Sequence, residues 1–174
     1  MGLFSPRSLD IDVILDLMIH DLDIILFLAP SRPVQINAVG IPILTPRIDI
    51  ANARIQFEDG CVANVTASRI SMEKIRKLRF FQAQDYVSLD YTRQDVAIFS
   101  LQGAIGGGGN QIVSRTVTPP KTEPLKEELA SFLRAARNEG PVECTAEDGR
   151  RALDLALQIL RQAEAALARE IDRP

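Results

Sequence analysis

Asp16, His20 and Asp23 are the residues of this chain whose types and spacing best suit proton chemistry. His20 is the only histidine among the 174 residues. An imidazole has an ordinary pKa near neutrality, so it can take a proton from a hydroxyl group and return it. The residue stands in Asp16-Leu17-Met18-Ile19-His20-Asp21-Leu22-Asp23, within an apolar run from Val13 to Ala29 that contains no Gly or Pro. On an α-helix, positions three, four and seven apart share a face, which gathers Asp12, Asp16, His20 and Asp23 into one polar stripe. The remaining faces carry Val13, Ile14, Leu15, Leu17, Met18, Ile19, Leu22 and Ile24 to Leu28, so the helix is expected to be mostly buried. Buried carboxylates and a buried imidazole require partners, a cleft or a ligand.

Simpler roles compete for each residue. On its own pattern His20 is better suited to being a hydrogen-bonded core histidine. Asp16 would serve as a helix cap or as support for a neighbour. Asp21 and Asp23 would hold backbone or an arginine, and Asp12 falls near the helix start, where a carboxylate suits the dipole. Two carboxylates and a histidine at helical spacing also match a divalent ion. One helix seldom completes a ligand set and there is no second histidine, so no metal is expected.

The elements around this stripe follow from local patterning. The helix is expected over about Asp12 to Leu28, capped by Ser8 or Asp10 and ended by Pro30-Ser31-Arg32-Pro33. Val34 to Leu44 and Ile48 to Glu58 read as strands. Asp59-Gly60 is a hairpin signal, and Cys61 to Ile70 returns as the partner strand. Lys74 to Ala83 and Tyr86 to Tyr91 form the next pair, followed by Asp95 to Leu101 and Gln111 to Val117 around a glycine loop at Gly106 to Gly109. After Pro119-Pro120, a helix over Leu125 to Arg137 presents Leu125, Leu129, Phe132, Leu133 and Ala136 on one face. A long final helix starts at Thr145-Ala146-Glu147-Asp148 and runs to about Arg169.

One helix, about six to eight strands and two helices make an α+β fold, an open and mainly antiparallel sheet with helices packed on one face. Val62 to Ala67 reads as apolar on both sides, which leaves the second face as an assembly surface. Arg69, Lys74, Arg76, Lys77 and Arg79 form a basic stretch around a turn, read as a solvated, charge-protected edge or as a place for a phosphate.

Composition narrows the function classes. Hydrophobic residues are 46% and charged residues 25%, a globular profile with enough chain for one sizeable core. The net charge of -3, the aromatic content of 5% and the lack of Trp disfavour a nucleic-acid partner. Acidic interruptions in the Val13 to Ala29 run disfavour a membrane span, and no signal peptide is visible. Cys61 and Cys144 fit no metal-binding spacing and read as reduced thiols in a cytoplasmic protein.

Three stretches together resemble the C-terminal domain of the Gfo/Idh/MocA family of NAD(P)-dependent oxidoreductases. The first is Asp16-x-x-x-His20-Asp21-x-Asp23, similar to the family's D-x-x-x-H-x-x-D helix signature. The second is the strand pair Ala53-Arg54-Ile55-Gln56-Phe57-Glu58-Asp59-Gly60 and Val62-Ala63-Asn64-Val65-Thr66-Ala67-Ser68. The third joins Leu129-Ala130-Ser131-Phe132-Leu133, Pro141-Val142 and Ala146-Glu147-Asp148-Gly149-Arg150-Arg151-Ala152-Leu153. Together they cover nearly the whole chain.

The resemblance implies the fold shared with the C-terminal domains of dihydrodipicolinate reductase and glyceraldehyde-3-phosphate dehydrogenase. It implies a single substrate-binding and oligomerisation domain over residues 1–174, with His20 and Asp16 catalytic and Asp16, His20 and Asp23 touching substrate. The implied substrate is a sugar, polyol or nucleotide-sugar hydroxyl, a UDP-sugar oxidised at C3 among them, with homo-oligomers formed through the open sheet face. The sequence contains neither a GxGxxG turn nor the family's Glu-Lys-Pro motif, and Ile11-Asp12-Val13-Ile14-Leu15 replaces the glycine-rich stretch ahead of the signature aspartate. NAD or NADP is therefore expected to be held mainly by a Rossmann domain absent from this chain, which by itself is expected to be inactive. The competing function is a non-catalytic dimerisation or assembly module.

Overall fold

The computed structural model describes residues 9–71, 75–103 and 110–171, with backbone only at 170 and 171. Seven strands and three α-helices form two compact units, one of Met1–Met72 with Val142–Pro174 and one of Glu73–Pro141. The α+β class and the antiparallel pairing are as the sequence predicts. The strands hydrogen-bond as two sheets, one of three strands and one of four. The glycine loop at Gly106 to Gly109, Lys74 and the Ser8 cap fall outside the described residues.

In the first unit a π-helical turn over Ile14–Met18 leads into α1, Ile19–Leu28. Strands β1 (Pro33–Ile41), β2 (Ile50–Phe57) and β3 (Val62–Ser68) come next, in spatial order β1-β2-β3. The β2–β3 hairpin turns where its sequence says. Gly60 takes φ 87°, a left-handed conformation open to glycine, and Cys61 N–H donates to Asp59 Oδ1 at 3.0 Å. Helix α3 (Ala146–Ile171) starts on a reciprocal cap: Thr145 N–H donates to Asp148 Oδ2 at 2.9 Å, and Asp148 N–H donates to Thr145 Oγ1 at 3.2 Å.

The core of this unit forms where the helices meet one face of the sheet. Ala51, Ala53, Ile55 and Phe57 of β2 and Val65 and Ala67 of β3 are buried with Met18, Leu22 and Ile25 and with Leu155, Ala156, Ile159 and Ala163 of α3. Small residues let the layers approach closely. A Cβ at Gly40 would lie 2.7 Å from Ile48 Cγ2 and 3.3 Å from the Ala163 Cβ.

The outer face differs from the sequence expectation. Ala63, Val65 and Ala67 point inward, whereas Asn64 and Thr66 face solvent and bond across to Arg54 at 3.1 Å and Asn52 at 2.7 Å. This face is mixed rather than apolar. The first helix is also less buried than its composition predicts, because Phe27 is 82% exposed and Leu17 and Leu28 are exposed as well.

The second unit comprises β4 (Lys77–Phe81), β5 (Asp85–Asp90), β6 (Asp95–Gln102), β7 (Gln111–Val117) and α2 (Pro124–Ala136), with the strands in sequential antiparallel order. Among its described residues only Val87 is a buried hydrophobic. Phe81, Tyr86 and Phe99 stack across three strands, with ring centroids 4.8 and 5.6 Å apart. The predicted apolar face of α2 is present, but Leu125, Leu129, Phe132 and Leu133 are all exposed.

Candidate functional site

The helix that carries Asp16 and His20 is tied to the sheet at its entrance. Val13 N–H donates to the Ile48 carbonyl at 2.9 Å, and Asp12 Oδ1 accepts Ile48 N–H at 2.8 Å. Asp12 is buried, and its side chain serves this cross-link rather than the helix dipole. Among the described residues no side chain caps the helix, Asp10 included; the Asp12 carbonyl accepts N–H from Leu15 and Asp16 at 3.0 Å each.

From there the chain winds one π-turn, with Ile19 N–H bonded to the Ile14 carbonyl five residues back. A π-turn rotates the helix on its C-terminal side relative to the segment on its N-terminal side. The single polar stripe expected on a regular helix therefore does not persist: Asp12 is buried, Asp16 and Asp23 are half-buried and His20 is exposed. Among the described residues His20 makes no hydrogen bond or ion pair, so it is not a satisfied core histidine.

Beneath Asp16 lies a charged pair that the sequence did not reveal. Asp49 is fully buried, and its Oδ2 accepts N–H from Ile43 at 2.8 Å, Leu44 at 2.6 Å and Thr45 at 2.9 Å. Its Oδ1 accepts the Thr45 hydroxyl at 2.9 Å. Burial pushes this carboxyl up, but the backbone donors of Ile43, Thr45 and Leu44 and the Thr45 hydroxyl outweigh that effect and bring its pKa down from 3.8 to about 2.

Arg69, 8% exposed, lies against it with Nε 3.8 Å from Asp49 Oδ1. The same guanidinium donates through Nη2 to the Ile11 carbonyl at 2.5 Å and stands 4.0 Å from Asp16 Oδ2. One buried arginine thus joins the β1–β2 loop, the segment entering the helix and the aspartate that precedes His20 by four residues.

This corrects the reading of Arg69 as part of a solvated basic edge. The other described members of that stretch lie in the second unit, where Arg76 stands over the Tyr91 ring at 5.3 Å and Lys77 pairs with Asp90 at 3.2 Å. Asp49 was hidden by an assumed strand start at Ile48. The strand begins at Ile50 and its inward residues are the odd-numbered ones from Ala51, so Ile48 and Asp49 belong to the preceding loop. The Thr45…Asp49 spacing is the only local sign of the loop-closing bonds.

Among the described residues, no three His, Cys, Asp or Glu side chains gather as a metal site, and no helix is long and apolar enough to cross a membrane. Cys61 and Cys144 are both exposed.

The chain is similar to proteins of known family. Residues 4–82 match the model of the GFO/IDH/MocA C-terminal domain. UDP-N-acetylglucosamine 3-dehydrogenase of Acidithiobacillus ferrooxidans is 40% identical over 166 residues, 95% of this chain and 53% of that enzyme. A solved structure of that enzyme superposes with a TM-score of 0.83, covering 94% of this chain and 52% of its own. The chain thus spans about half the length of the curated relative it matches. Levoglucosan dehydrogenase in complex with NADH, at 16% identity, shares the fold with a TM-score of 0.74 over 88% of this chain and 48% of its own.

The Asp49 geometry sets an acid limit on stability. Its folded pKa is depressed, so its stabilisation is complete above the unfolded value of 3.8 and disappears as pH falls toward 2. Urea unfolding monitored by circular dichroism is expected to show Asp49→Asn destabilised by roughly 2–4 kcal/mol at neutral pH, with a shallower stability loss between pH 4 and 2 than the parent. A variant matching the parent at both pH values would contradict this role.

Proposed function

We propose that this chain, whose residues 4–82 match the model of the GFO/IDH/MocA C-terminal domain, is the substrate-side portion of a nicotinamide-dependent dehydrogenase acting on a UDP-sugar at its C3 hydroxyl. The observation that carries the reading is His20, exposed and without a protein partner, four residues beyond an aspartate held near a buried arginine. The substrate assignment is supported by the 40% identity to UDP-N-acetylglucosamine 3-dehydrogenase.

In this reading His20 accepts the hydroxyl proton as the carbinol carbon becomes a carbonyl, and returns it in the reverse direction. Asp16 bonds the same hydroxyl or orients the imidazole. Asp23, half-buried and further along α1, contributes a substrate contact. NAD or NADP, when bound, supplies the acceptor for the hydride leaving that carbon. The sequence contains no GxGxxG turn, and the reading places the dinucleotide mainly on a Rossmann domain outside these 174 residues. The reading places the protein in a reducing, cytoplasmic setting, with which the exposed Cys61 agrees.

The second unit favours assembly through the four-stranded sheet alongside catalysis. Phe81 and Ile112 are 77% and 74% exposed on a sheet with one buried hydrophobic among its described residues. A second copy of the chain is the proposed cover.

Two measurements test these readings. In the protein that carries this chain together with its dinucleotide-binding segment, His20→Ala is expected to lower kcat for UDP-N-acetylglucosamine oxidation by roughly 10²–10⁴-fold and Asp16→Asn by a smaller factor. Unchanged turnover in His20→Ala would remove the proposed role. In light scattering the parent chain is expected to exceed its monomer mass of 19.2 kDa, and Phe81→Glu with Ile112→Glu to return it to that mass. A monomeric parent, or an unaffected variant, would contradict assembly through this sheet.

A further inference from the structure

A cleft of about 790 Å³ runs along the outer edge of the first unit, between strand β1, its neighbour β2 and the C-terminal half of α3. Three arginines line it, Arg54, Arg161 and Arg169. The fold explains their convergence. Asn37 pairs with Arg54 and Val39 with Asn52 across β1 and β2, which sends all four to the outer face. On α3, positions 158, 161, 162, 165, 166 and 169 recur at helical spacing and form one ridge facing that edge. Ala165 and Ala166 keep the middle of the ridge low, so the space between the arginines stays open.

The charge pattern is one-sided. The chain carries a net charge of -3, yet no Asp or Glu lines this cleft among the described residues. Three other arginines of the unit meet carboxylates: Arg32 with Glu58 at 3.5 Å, Arg150 with Glu147 at 2.6 Å and Arg69 with Asp49 at 3.8 Å. Among the described residues none of Arg54, Arg161 and Arg169 has a carboxylate within ion-pair distance; Arg54 donates only to Asn64 Oδ1, at 3.1 Å. Three like charges held around one cavity repel each other until an anion enters. Guanidinium forks match phosphate oxygens bidentately, and the amides of Asn52, Gln158 and Gln162 add donors and acceptors for the rest of a ligand. The volume is that of a small-molecule site rather than a nucleic-acid track.

We propose that the cleft between β1 and α3 is a binding site for a small diphosphate-bearing ligand, held by Arg54, Arg161 and Arg169. It shares no residue with the His20 helix and stands whatever reaction that helix serves.

Calorimetry on the 174-residue chain with inorganic pyrophosphate, and separately with UDP, tests it. Saturable binding of both is expected, weaker at high salt. Arg54→Ala with Arg161→Ala is expected to weaken it at least about 10-fold, Arg54→Lys with Arg161→Lys less, and Arg32→Ala, outside the cleft, not at all. Circular dichroism confirms that each variant is folded. No binding at millimolar ligand, or binding unchanged in the alanine variant, would overturn the proposal. So would a drop in oligomer mass caused by the alanine variant, which would assign the cleft to an acidic segment of a second copy.

Discussion

A fully buried carboxylate needs several donors or it will not stay ionised. Asp49 has three backbone N–H groups, a hydroxyl and an arginine around it, and the first unit is arranged about that requirement. The donors come from the β1–β2 loop, which fixes that loop against the sheet. Arg69, at the end of β3, enters the same space and reaches on to the Ile11 carbonyl and toward Asp16. Removing one member of such a pair leaves a buried charge without its counterpart, at a cost of roughly 3–5 kcal/mol. The helix entrance, the loop and the strand end are therefore held as one cooperative group.

That anchoring has a consequence for the helix. Its first turn is pinned by Val13 and Asp12 to Ile48, while its apolar face must still reach Leu155 and Ile159 of α3 and the inward face of β2. The π-turn at Ile14–Met18 accommodates both, since one wide turn changes the phase of every later residue in the helix. Met18, Leu22 and Ile25 then go inward and His20 outward, with Asp16 between them at the surface of the charged pair. In the proposed reading this exposed imidazole, four residues beyond a restrained carboxylate, carries the proton.

Much of this was legible because its causes are local. Asp59-Gly60 encodes its own turn, Thr145…Asp148 its own cap, and the odd-numbered residues of β2 their burial. The chemistry-bearing helix and its candidate residues were also visible in spacing alone. What escaped depends on distant partners. Arg69 looked like its basic neighbours because its partners are 20 residues away at Asp49 and 53 away at Asp16. The exposure of Phe27 and of the α2 stripe could not be read either, since an amphipathic or apolar pattern states a need for cover without naming it. The division of seven strands into two sheets likewise rests on pairings that alternation does not encode.

The Asp49–Arg69 pair holds the turn that presents Asp16 and His20. Amide hydrogen exchange on the parent chain and on Arg69→Met tests it most directly. Residues 13–20 and 43–49 are expected to lose protection by at least about 10-fold in the variant, while β5 and β6 keep theirs. Protection unchanged across 13–20 would show that the helix is positioned without this pair, and would contradict the claim.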